Sequence, residues 1–208
     1  MKLIIAKPSP YARKVRVALL EKCLDCEIVV DNPWLAGPAI ASVNPLGKVP
    51  ALIRDDGGVV HDSKVIIEYL ETLDRPPALI PADAPTRIAH KQIEAIADGV
   101  CDAIVLVALE GARPEDKRSN EWLTRQHRKI VSGLGELERM LGRREWFSDF
   151  GFGLAEIATM STLEYVDFRY PQFEWREVSP ALAGFQERLA ARPSFAATRP
   201  EPQELPPI

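Results

Sequence analysis

Ser9-Pro10 is the first place in the chain where residue types and spacing could support chemistry. It follows the apolar run Leu3-Ile4-Ile5-Ala6, and serine and proline are favoured at the N-cap and first position of a helix. A hydroxyl there can donate a hydrogen bond to a thiolate beside the positive end of the helix dipole, and Arg13 adds charge one turn later. These groups would lower the pKa of a bound thiol from about 8.5 toward neutrality. Taken alone, Ser9 is more simply a helix cap.

Val49-Pro50 could present backbone groups to a peptide-like ligand. If the bond before Pro50 is cis, Val49 turns its N–H and C=O outward, where a ligand can pair with it as an added strand. An ordinary turn proline at the start of a strand is the commoner alternative. Lys48, immediately before, would attract an acidic ligand or remain a solvated loop lysine.

Asp62-Ser63 stands at the start of a second predicted helix. Ser63 and the free N–H groups of a helix start can hold a carboxylate, while Asp62 can pair with an ammonium group. An α-amino-acid head carries both groups, so the pair fits such a ligand. Plain helix capping is the alternative.

The elements that must position these residues alternate between strand and helix. Apolar runs and turn residues predict strands at 3–6, 27–30, 49–53 and 59–61, with helices beginning at Pro10 and Asp62-Ser63. A hairpin turn, Asp55-Asp56-Gly57-Gly58, joins the last two strands. The predicted order is β-α-β, a connection, then β-β-α.

A proline-rich connector separates this α/β domain from a helical one. Four prolines in the eleven residues from Arg75 to Pro85 argue against a helix or central strand there. Beyond it, apolar residues recur every three or four positions, which predicts helices almost throughout. We therefore predict a first domain over 1–75, a linker over 76–85 and an all-helical domain over 86–208, with an irregular surface segment from Pro200.

Composition and charge limit the classes of function. With 46% hydrophobic and 27% charged residues, the 208-residue chain is typical of globular proteins, not of disordered or disulfide-scaffold proteins. Its net charge of −4 argues against a broad nucleic-acid surface. No apolar run approaches the ~20 residues of a membrane span or the length of an export signal. Together with an odd number of cysteines, this predicts reduced thiols in a cytoplasmic protein that contacts neither nucleic acid nor membrane.

Taken in order, the three stretches resemble the glutathione S-transferase family. The segments that carry the resemblance are Ser9-Pro10-Tyr11-Ala12-Arg13-Lys14-Val15-Arg16, Asn44-Pro45-Leu46-Gly47-Lys48-Val49-Pro50-Ala51-Leu52 and Asp62-Ser63-Lys64-Val65-Ile66-Ile67-Glu68-Tyr69-Leu70. The connector and the helical second half fit the same family, and Tyr165-Val166-Asp167-Phe168-Arg169 is similar to a helix of bacterial members. The resemblance covers nearly the whole chain and is specific to the family, but not to a substrate.

The resemblance implies both a fold and a site. The fold is a thioredoxin-like N-terminal domain of order β-α-β-α-β-β-α that binds glutathione, followed by an all-helical C-terminal domain. Ser9 would stabilise the thiolate, and Val49, before a cis-proline, would pair with the cysteinyl part of glutathione. Asp62 and Ser63 would hold the γ-glutamyl end, and Lys48 would help to neutralise a carboxylate.

The implied reaction is attack of the glutathione thiolate on a small hydrophobic electrophile, as in detoxification. Tyr11, Leu106 and Tyr165 are expected, by resemblance, to line an electrophile pocket between the domains. The family is usually dimeric, so Asp98 and Asp102 could face a partner copy, or they could face solvent. The alternative functions are a glutathione-dependent peroxidase and a non-catalytic binding or regulatory module.

Three departures from the family pattern change these expectations. Ser9 stands where a cysteine would be needed for a mixed disulfide, which disfavours glutaredoxin-like thiol transfer. Asp62 stands where Glu is commoner and is shorter by one methylene. Gly153-Leu154-Ala155-Glu156 occupies the place of a Ser/Thr-x-x-Asp capping box. Glycine keeps most of the N-cap value, and Glu156 can still bond back to the N-cap amide.

The cysteines and histidines predict no metal or redox site. Cys23 and Cys26 have C-x-x-C spacing but lie near the end of the first helix, where the dipole opposes a thiolate. Cys101 is the only other cysteine, and zinc would need two further ligands. The three histidines show no metal-binding spacing, so no metal is expected.

Overall fold

The protein divides into two compact units in the computed structural model, which describes residues 1–35 and 37–204. The first unit comprises residues 1–79 together with the described residues from Pro193 onward, and the second comprises residues 80–192. The α/β pattern at the start of the chain and the helical pattern after the prolines thus fall into separate units. Among the described residues, no helix is long and apolar enough to cross a membrane.

A four-stranded sheet forms the centre of the first unit. Its strands are β1 (Lys2–Ile5), β2 (Glu27–Val30), β3 (Ala51–Ile53) and β4 (Val59–His61), in the order β2-β1-β3-β4. β1 runs parallel to β2, whereas β3 is antiparallel to both β1 and β4. This mixed sheet, with helices after β1 and β4, confirms the predicted thioredoxin-like domain.

The helices of the first unit are α1 (Pro10–Glu21) and α2 (Ser63–Glu71), and their inward-facing apolar residues are buried. Between β2 and β3 the described residues form one 3₁₀ helix, Ala39–Ser42, where the family resemblance implies an α-helix. Pro38 precedes this stretch and the turn at Asn44-Pro45 follows it, so there is room for little more than one helical turn.

A buried lysine ties the end of α1 to the connector. Lys22, at the C-cap of α1, forms an ion pair with Glu71 of α2 (Nζ to Oε1, 2.8 Å). Its ammonium also donates to the backbone carbonyls of Arg75 (2.7 Å) and Pro77 (3.0 Å). Because three acceptors compensate the buried charge, the connector begins in a fixed position against the first unit.

The second unit is built from helices, which confirms the all-helical prediction. They are α3 (Ala84–Ala112), α4 (Asn120–Leu141), α5 (Leu154–Arg169), α6 (Trp175–Val178) and α7 (Pro180–Ala190). α5 is buried on nearly all sides because small and apolar residues surround its axis. Gly133 lets α4 approach α3 closely, since a Cβ there would lie 2.4 Å from Cγ2 of Val100.

Glu156 closes the buried start of α5. Its carboxylate accepts hydrogen bonds from the backbone N–H groups of Gly153 and Phe147, each at 2.9 Å. The predicted bond back to the N-cap amide is therefore confirmed. Burial raises the pKa of Glu156 to about 7, even though the backbone N–H donors favour its ionised form.

His90 of α3 contacts the same helix start. Its Nδ1 accepts a hydrogen bond from Ala155 N–H (3.4 Å), and its Nε2 lies 2.8 Å from Oγ of Ser148. Because Nδ1 accepts, Nε2 carries the proton and donates to the serine. Burial lowers the pKa of His90 to about 4, so the ring is neutral near pH 7.

After Arg192 the chain returns to the first unit. α8 (Pro193–Ala196) and the residues up to Glu204 belong to that unit, and Nη2 of Arg16 on α1 donates to the carbonyl of Ala197 (3.2 Å). The sequence pattern predicts these residues to lie in the helical domain over 86–208. Helical spacing and proline content define local structure, but they do not indicate which unit a segment contacts.

Candidate functional site

The sheet topology brings the three predicted stretches to one end of the first unit. β1 ends there and leads to Ser9, β3 starts there after Val49, and β4 ends there and leads to Asp62. The register requires this, because the first residue of β3 pairs both with Ile4 of β1 and with the last residue of β4. The site residues therefore flank neighbouring strands at a single edge of the sheet.

Ser9 is the N-cap of α1, as predicted. Its Oγ accepts a hydrogen bond from Ala12 N–H (3.2 Å), while its backbone N–H donates to Ala6 C=O (3.0 Å). The half-buried hydroxyl lies at the positive end of the helix dipole. Within residues 1–35 and 37–204 its proton has no acceptor, so Ser9 can cap the helix and donate to a ligand at the same time.

The Val49-Pro50 peptide bond is cis, in agreement with the family resemblance. Pro50 is buried, and the half-buried Val49 side chain packs against Ile4, Ile40 and Ala51. The described part of the chain provides no hydrogen-bond partner for the N–H or C=O of Val49. Both backbone groups are therefore available to a ligand.

Asn44 fixes the loop that leads to Val49, a role that the sequence analysis did not assign. Its buried side chain donates from Nδ2 to the Lys48 carbonyl (2.7 Å) and accepts at Oδ1 from Leu46 N–H (3.0 Å). Gly47, with a φ of +61°, supplies the turn. The Lys48 side chain is exposed, and its ammonium forms no ion pair with the residues that the structure describes. Asn44-Pro45-Leu46-Gly47 predicts a turn, but not the partners of the amide.

Asp62 is the N-cap of α2 and holds an unusual backbone conformation. Its φ of +71° and ψ of 126° lie in a region that non-glycine residues rarely adopt, at a cost of about 1–3 kcal/mol. Oδ1 accepts from Lys64 N–H (2.9 Å), and the side chain is exposed. Ser63 is buried, and no described residue bonds its hydroxyl. Because strain of this kind clusters at functional sites, Asp62 is a stronger candidate than its sequence context indicated.

Arg13 is directed to the C-terminal segment. The side chain is buried, with Nε donating to Oγ1 of Thr198 (3.3 Å) and Nη2 donating to the carbonyl of Phe195 (3.2 Å). The guanidinium lies 5.6 Å from the centre of the Phe195 ring. Burial, with repulsion from nearby arginines, lowers the pKa of Arg13 to about 9, so it stays charged near pH 7. Its hydrogen bonds anchor Thr198 and Phe195, and its support of a bound thiolate stays a prediction.

The three residues expected at an electrophile pocket belong to different units. Tyr11 is half-buried in the first turn of α1. In the second unit, Leu106 is half-buried on α3 and Tyr165 is buried on α5, where burial raises the pKa of its hydroxyl. The Arg169 guanidinium lies 5.8 Å from the centre of the Tyr165 ring. Their aromatic and aliphatic character suits an apolar ligand, and their joint role stays a prediction.

Other residues singled out in the sequence have no place in this constellation. Asp98 is buried on α3 and Asp102 is exposed there. Cys23 is exposed, Cys26 is half-buried and Cys101 is buried, and none of the three forms a disulfide with a described residue. Burial raises the pKa of the Cys26 thiol, which opposes thiolate formation. Across the described ranges, no group of three or more His, Cys, Asp or Glu side chains could hold a metal ion.

Two family models match the chain. The model of the glutathione S-transferase N-terminal domain matches residues 8–73, and the model of the C-terminal domain matches residues 120–188. The first range contains all the site residues at the sheet edge. The second contains α4, α5 and most of α7.

Individual relatives align over nearly the full length. The uncharacterized GST-like protein YibF of Escherichia coli is 38% identical over 200 residues, which are 96% of this chain and 98% of the relative. The crystal structure of a glutathione S-transferase from Methylobacterium radiotolerans in complex with glutathione sulfonate is 43% identical, with a TM-score of 0.95, and covers 99% of this chain and 97% of that chain. A glutathione S-transferase from Methylobacillus flagellatus with GSH bound is 40% identical, with a TM-score of 0.91 and coverage of 96% and 99%. The likeness therefore extends over both units.

Proposed function

This chain belongs to the glutathione S-transferase family, and on that premise we propose that Ser9 activates the thiol of bound glutathione for attack on a small hydrophobic electrophile. The chain is a glutathione transferase by family and by structural likeness. The binding of glutathione at the sheet edge is supported by the two similar structures, which contain glutathione sulfonate and GSH.

The observation that carries the proposal is the proton of the Ser9 hydroxyl, for which the described residues offer no acceptor. Its oxygen is held by Ala12 N–H, so the O–H can donate into the space beyond the start of α1. A thiolate there receives this hydrogen bond and the favourable field of the helix dipole. The thiol pKa falls, and more nucleophile is present near pH 7. In the substitution step, the sulfur forms a bond to the electrophilic carbon and the leaving group departs with its electron pair.

The rest of the edge supplies groups that match glutathione. The free N–H and C=O of Val49, beside Pro50, suit its peptide backbone, and the exposed Asp62 carboxylate suits its α-ammonium group. Ser63 and the start of α2 suit the γ-glutamyl carboxylate. The ammonium of Lys48 suits a second carboxylate. Four separate group types thus correspond to four parts of one tripeptide.

The electrophile side of the proposal rests on Tyr11, Leu106 and Tyr165, whose apolar surfaces favour a hydrophobic co-substrate. We extend the proposal to a cytoplasmic homodimer that serves detoxification, because family members usually dimerise and the three cysteines form no disulfide with the described residues. In that dimer the exposed Asp102 is a candidate for the partner-facing surface of α3, whereas Asp98 is buried within the chain and faces neither a partner nor solvent. Solvent exposure is the alternative for Asp102.

Ser9→Ala tests the proposal, and Ser119→Ala is its matched control. Ser119 caps α4 with the same geometry, Oγ accepting from Trp122 N–H at 3.2 Å, so both variants lose a cap worth about 1 kcal/mol. We expect Ser9→Ala alone to raise the pKa of the bound thiol by about one unit or more and to lower kcat/KM about 10- to 100-fold. Spectroscopic titration of the glutathione complex measures the pKa.

Two results would overturn the proposal. An unchanged thiol pKa in Ser9→Ala would remove Ser9 as the activating group. No heat of binding at millimolar glutathione would favour a non-catalytic module on this fold. Assays with aryl halides beside organic hydroperoxides then separate conjugation from peroxide reduction, since both use the same thiolate.

A further inference from the structure

Residues 197–204, here called the C-terminal strap, run along the first unit beside the loop that carries Ser9. Lys7 Nζ forms an ion pair with Glu201 (3.0 Å), and Nδ2 of Asn32 donates to the carbonyl of Glu204 (2.9 Å). Lys7 lies between β1 and Ser9, and Asn32 follows β2. The strap therefore contacts the chain directly after both of the parallel strands.

Gln203 completes a rung of the parallel ladder with its side chain. The ladder between β1 and β2 ends with Asp31 N–H donating to Ile5 C=O (2.8 Å). In a continued parallel ladder, the next bond would run from Lys7 N–H to Asp31 C=O. Instead, Lys7 N–H donates to Oε1 of Gln203 (2.8 Å), and Nε2 of Gln203 donates to Asp31 C=O (2.9 Å). One primary amide thus bridges two backbone groups that a continued ladder would pair directly.

From Asp31 the hydrogen bonds continue toward Val49. Oδ2 of Asp31 accepts from Ile40 N–H (2.6 Å), and Ile40 C=O accepts from Asn44 N–H (2.8 Å). Asn44 then holds the Lys48 carbonyl through Nδ2 (2.7 Å), one residue before Val49. A continuous series of hydrogen bonds therefore joins the loop of Ser9 to the loop of Val49, with Gln203 as the member from the C-terminal strap.

We propose that Gln203 is a positioning residue for the glutathione site, and this inference rests on the proposed function. It touches no ligand atom and acts by setting the distance between the Ser9 loop and the Asp31-to-Val49 segment. Glutathione must reach the Ser9 hydroxyl and the Val49 backbone together, so a loosened bridge weakens both contacts. Sequence reasoning could not find this role, because Gln203 lies 196 residues from Lys7.

Gln203→Met and Gln203→Ala test the role, with Glu201→Gln as the control. Methionine keeps the length of the side chain and removes both hydrogen bonds, whereas Glu201→Gln removes only an exposed ion pair to the same lysine. We expect Gln203→Met to raise the Kd for glutathione about three- to tenfold and to raise the pKa of the bound thiol. We expect Glu201→Gln to change neither quantity. Calorimetry and thiol titration measure both.

Amide hydrogen exchange separates failure of this inference from failure of the proposed function. In Gln203→Met, without ligand, we expect faster exchange at Lys7, Ile40 and Asn44, and unchanged exchange in α2. If the wild-type protein does not bind glutathione, the proposed function fails while these rates still test the bridge. Two results would overturn the inference and leave Gln203 with a merely structural role. One is unchanged amide exchange in Gln203→Met. The other is exchange that rises uniformly in the first unit while the Kd for glutathione and the thiol pKa stay at wild-type values.

Discussion

The helix start at Ser9 and the helix start at Gly153 differ in how many of their polar groups the protein itself satisfies. At Ser9 the hydroxyl accepts one backbone bond, and no group among the described residues accepts its proton. At Gly153 the cap has no side chain, and Glu156 accepts from two buried amides while His90 accepts from a third. The polar groups of the first start lie at the proposed glutathione-binding edge, and those of the second are closed within the helical unit.

Under the proposed function, the difference separates a site for ligand binding from a site for stability. Unsatisfied polar groups are tolerated at Ser9 and Val49 because both are half-buried and can meet water or ligand. The Glu156 side chain is fully buried, where an unpaired amide or carboxylate would be costly. We call the sheet edge around Ser9 and Val49 the open edge, and the start of α5 around Gly153 and Glu156 the closed start. Substitutions at the open edge should therefore change glutathione binding with little change in stability, and substitutions at the closed start should do the reverse.

Glu156→Ala should give the largest effect. It leaves the amides of Gly153 and Phe147 buried without acceptors, and we expect the free energy of unfolding to fall by about 3–5 kcal/mol. Urea unfolding measures the loss, and the Kd for glutathione should stay within about twofold of the wild type.

Glu138→Ala is the matched control for that prediction. Its carboxylate also accepts from two amides at a helix start, Ala181 (2.9 Å) and Leu182 (2.8 Å), but the side chain is only half-buried. Water can replace these bonds, so a smaller loss of about 1–2 kcal/mol is expected. Equal losses in the two variants would refute the role of burial in the comparison.

Asn44→Ala should affect the open edge through its loop. Without the bond from Nδ2, the Lys48 carbonyl and the neighbouring Val49 backbone lose their fixed position, and we expect the Kd for glutathione to rise about tenfold. Ser42→Ala is the control, because it removes an exposed bond from Ser42 Oγ to Ala39 C=O (2.7 Å) just before the same loop. Calorimetry on both variants decides the matter: similar Kd values would show that Asn44 does not position Val49.

The sequence predicted the local features of both regions, and it missed those that depend on distant segments. Capping at Ser9 and the bond from Gly153 to Glu156 span three residues, so residue types at fixed spacing were sufficient. Arg13 could not be placed, because its partner Thr198 lies 185 residues away. The backbone of Asp62 was also unpredictable, because its positive φ is imposed by the surrounding fold and contradicts the preference of the residue.

Asp62→Gly and Asp62→Asn should separate strain from charge at the open edge. Glycine relieves the positive φ and should raise the free energy of unfolding by about 1 kcal/mol. Asparagine keeps a cap oxygen and should change stability by less than about 0.5 kcal/mol. Both lose the carboxylate, so both should weaken glutathione binding several-fold. A glycine variant that is less stable than the wild type would show that the conformation is not strained.

The smallest effect is expected in the pH dependence of the closed start, because two shifts oppose each other. The pKa of His90 is lowered from 6.5 in the unfolded chain to about 4 in the folded chain. Between these two pH values the unfolded chain binds more protons than the folded chain, so stability is lost as the pH falls from 6.5 to about 4. The pKa of Glu156 is raised from 4.5 in the unfolded chain to about 7 in the folded chain. Between these two pH values the folded chain binds more protons than the unfolded chain, so stability is lost as the pH rises from 4.5 to about 7. Between pH 4.5 and 6.5 the two contributions largely cancel.

Glu156→Gln should reveal the hidden histidine contribution. Relative to the wild type, its free energy of unfolding should decrease by about 2–3 kcal/mol on going from pH 6.5 to 4.5, because His90 then titrates without compensation. His90→Phe should show the opposite slope. Urea unfolding at several pH values measures the differences, and taking them relative to the wild type removes the contribution of the remaining carboxylates. If the free energy of unfolding varied with pH in the same way in all three proteins, the pKa values of His90 and Glu156 would not change on folding. The burial of these two groups would then have no electrostatic effect at the closed start.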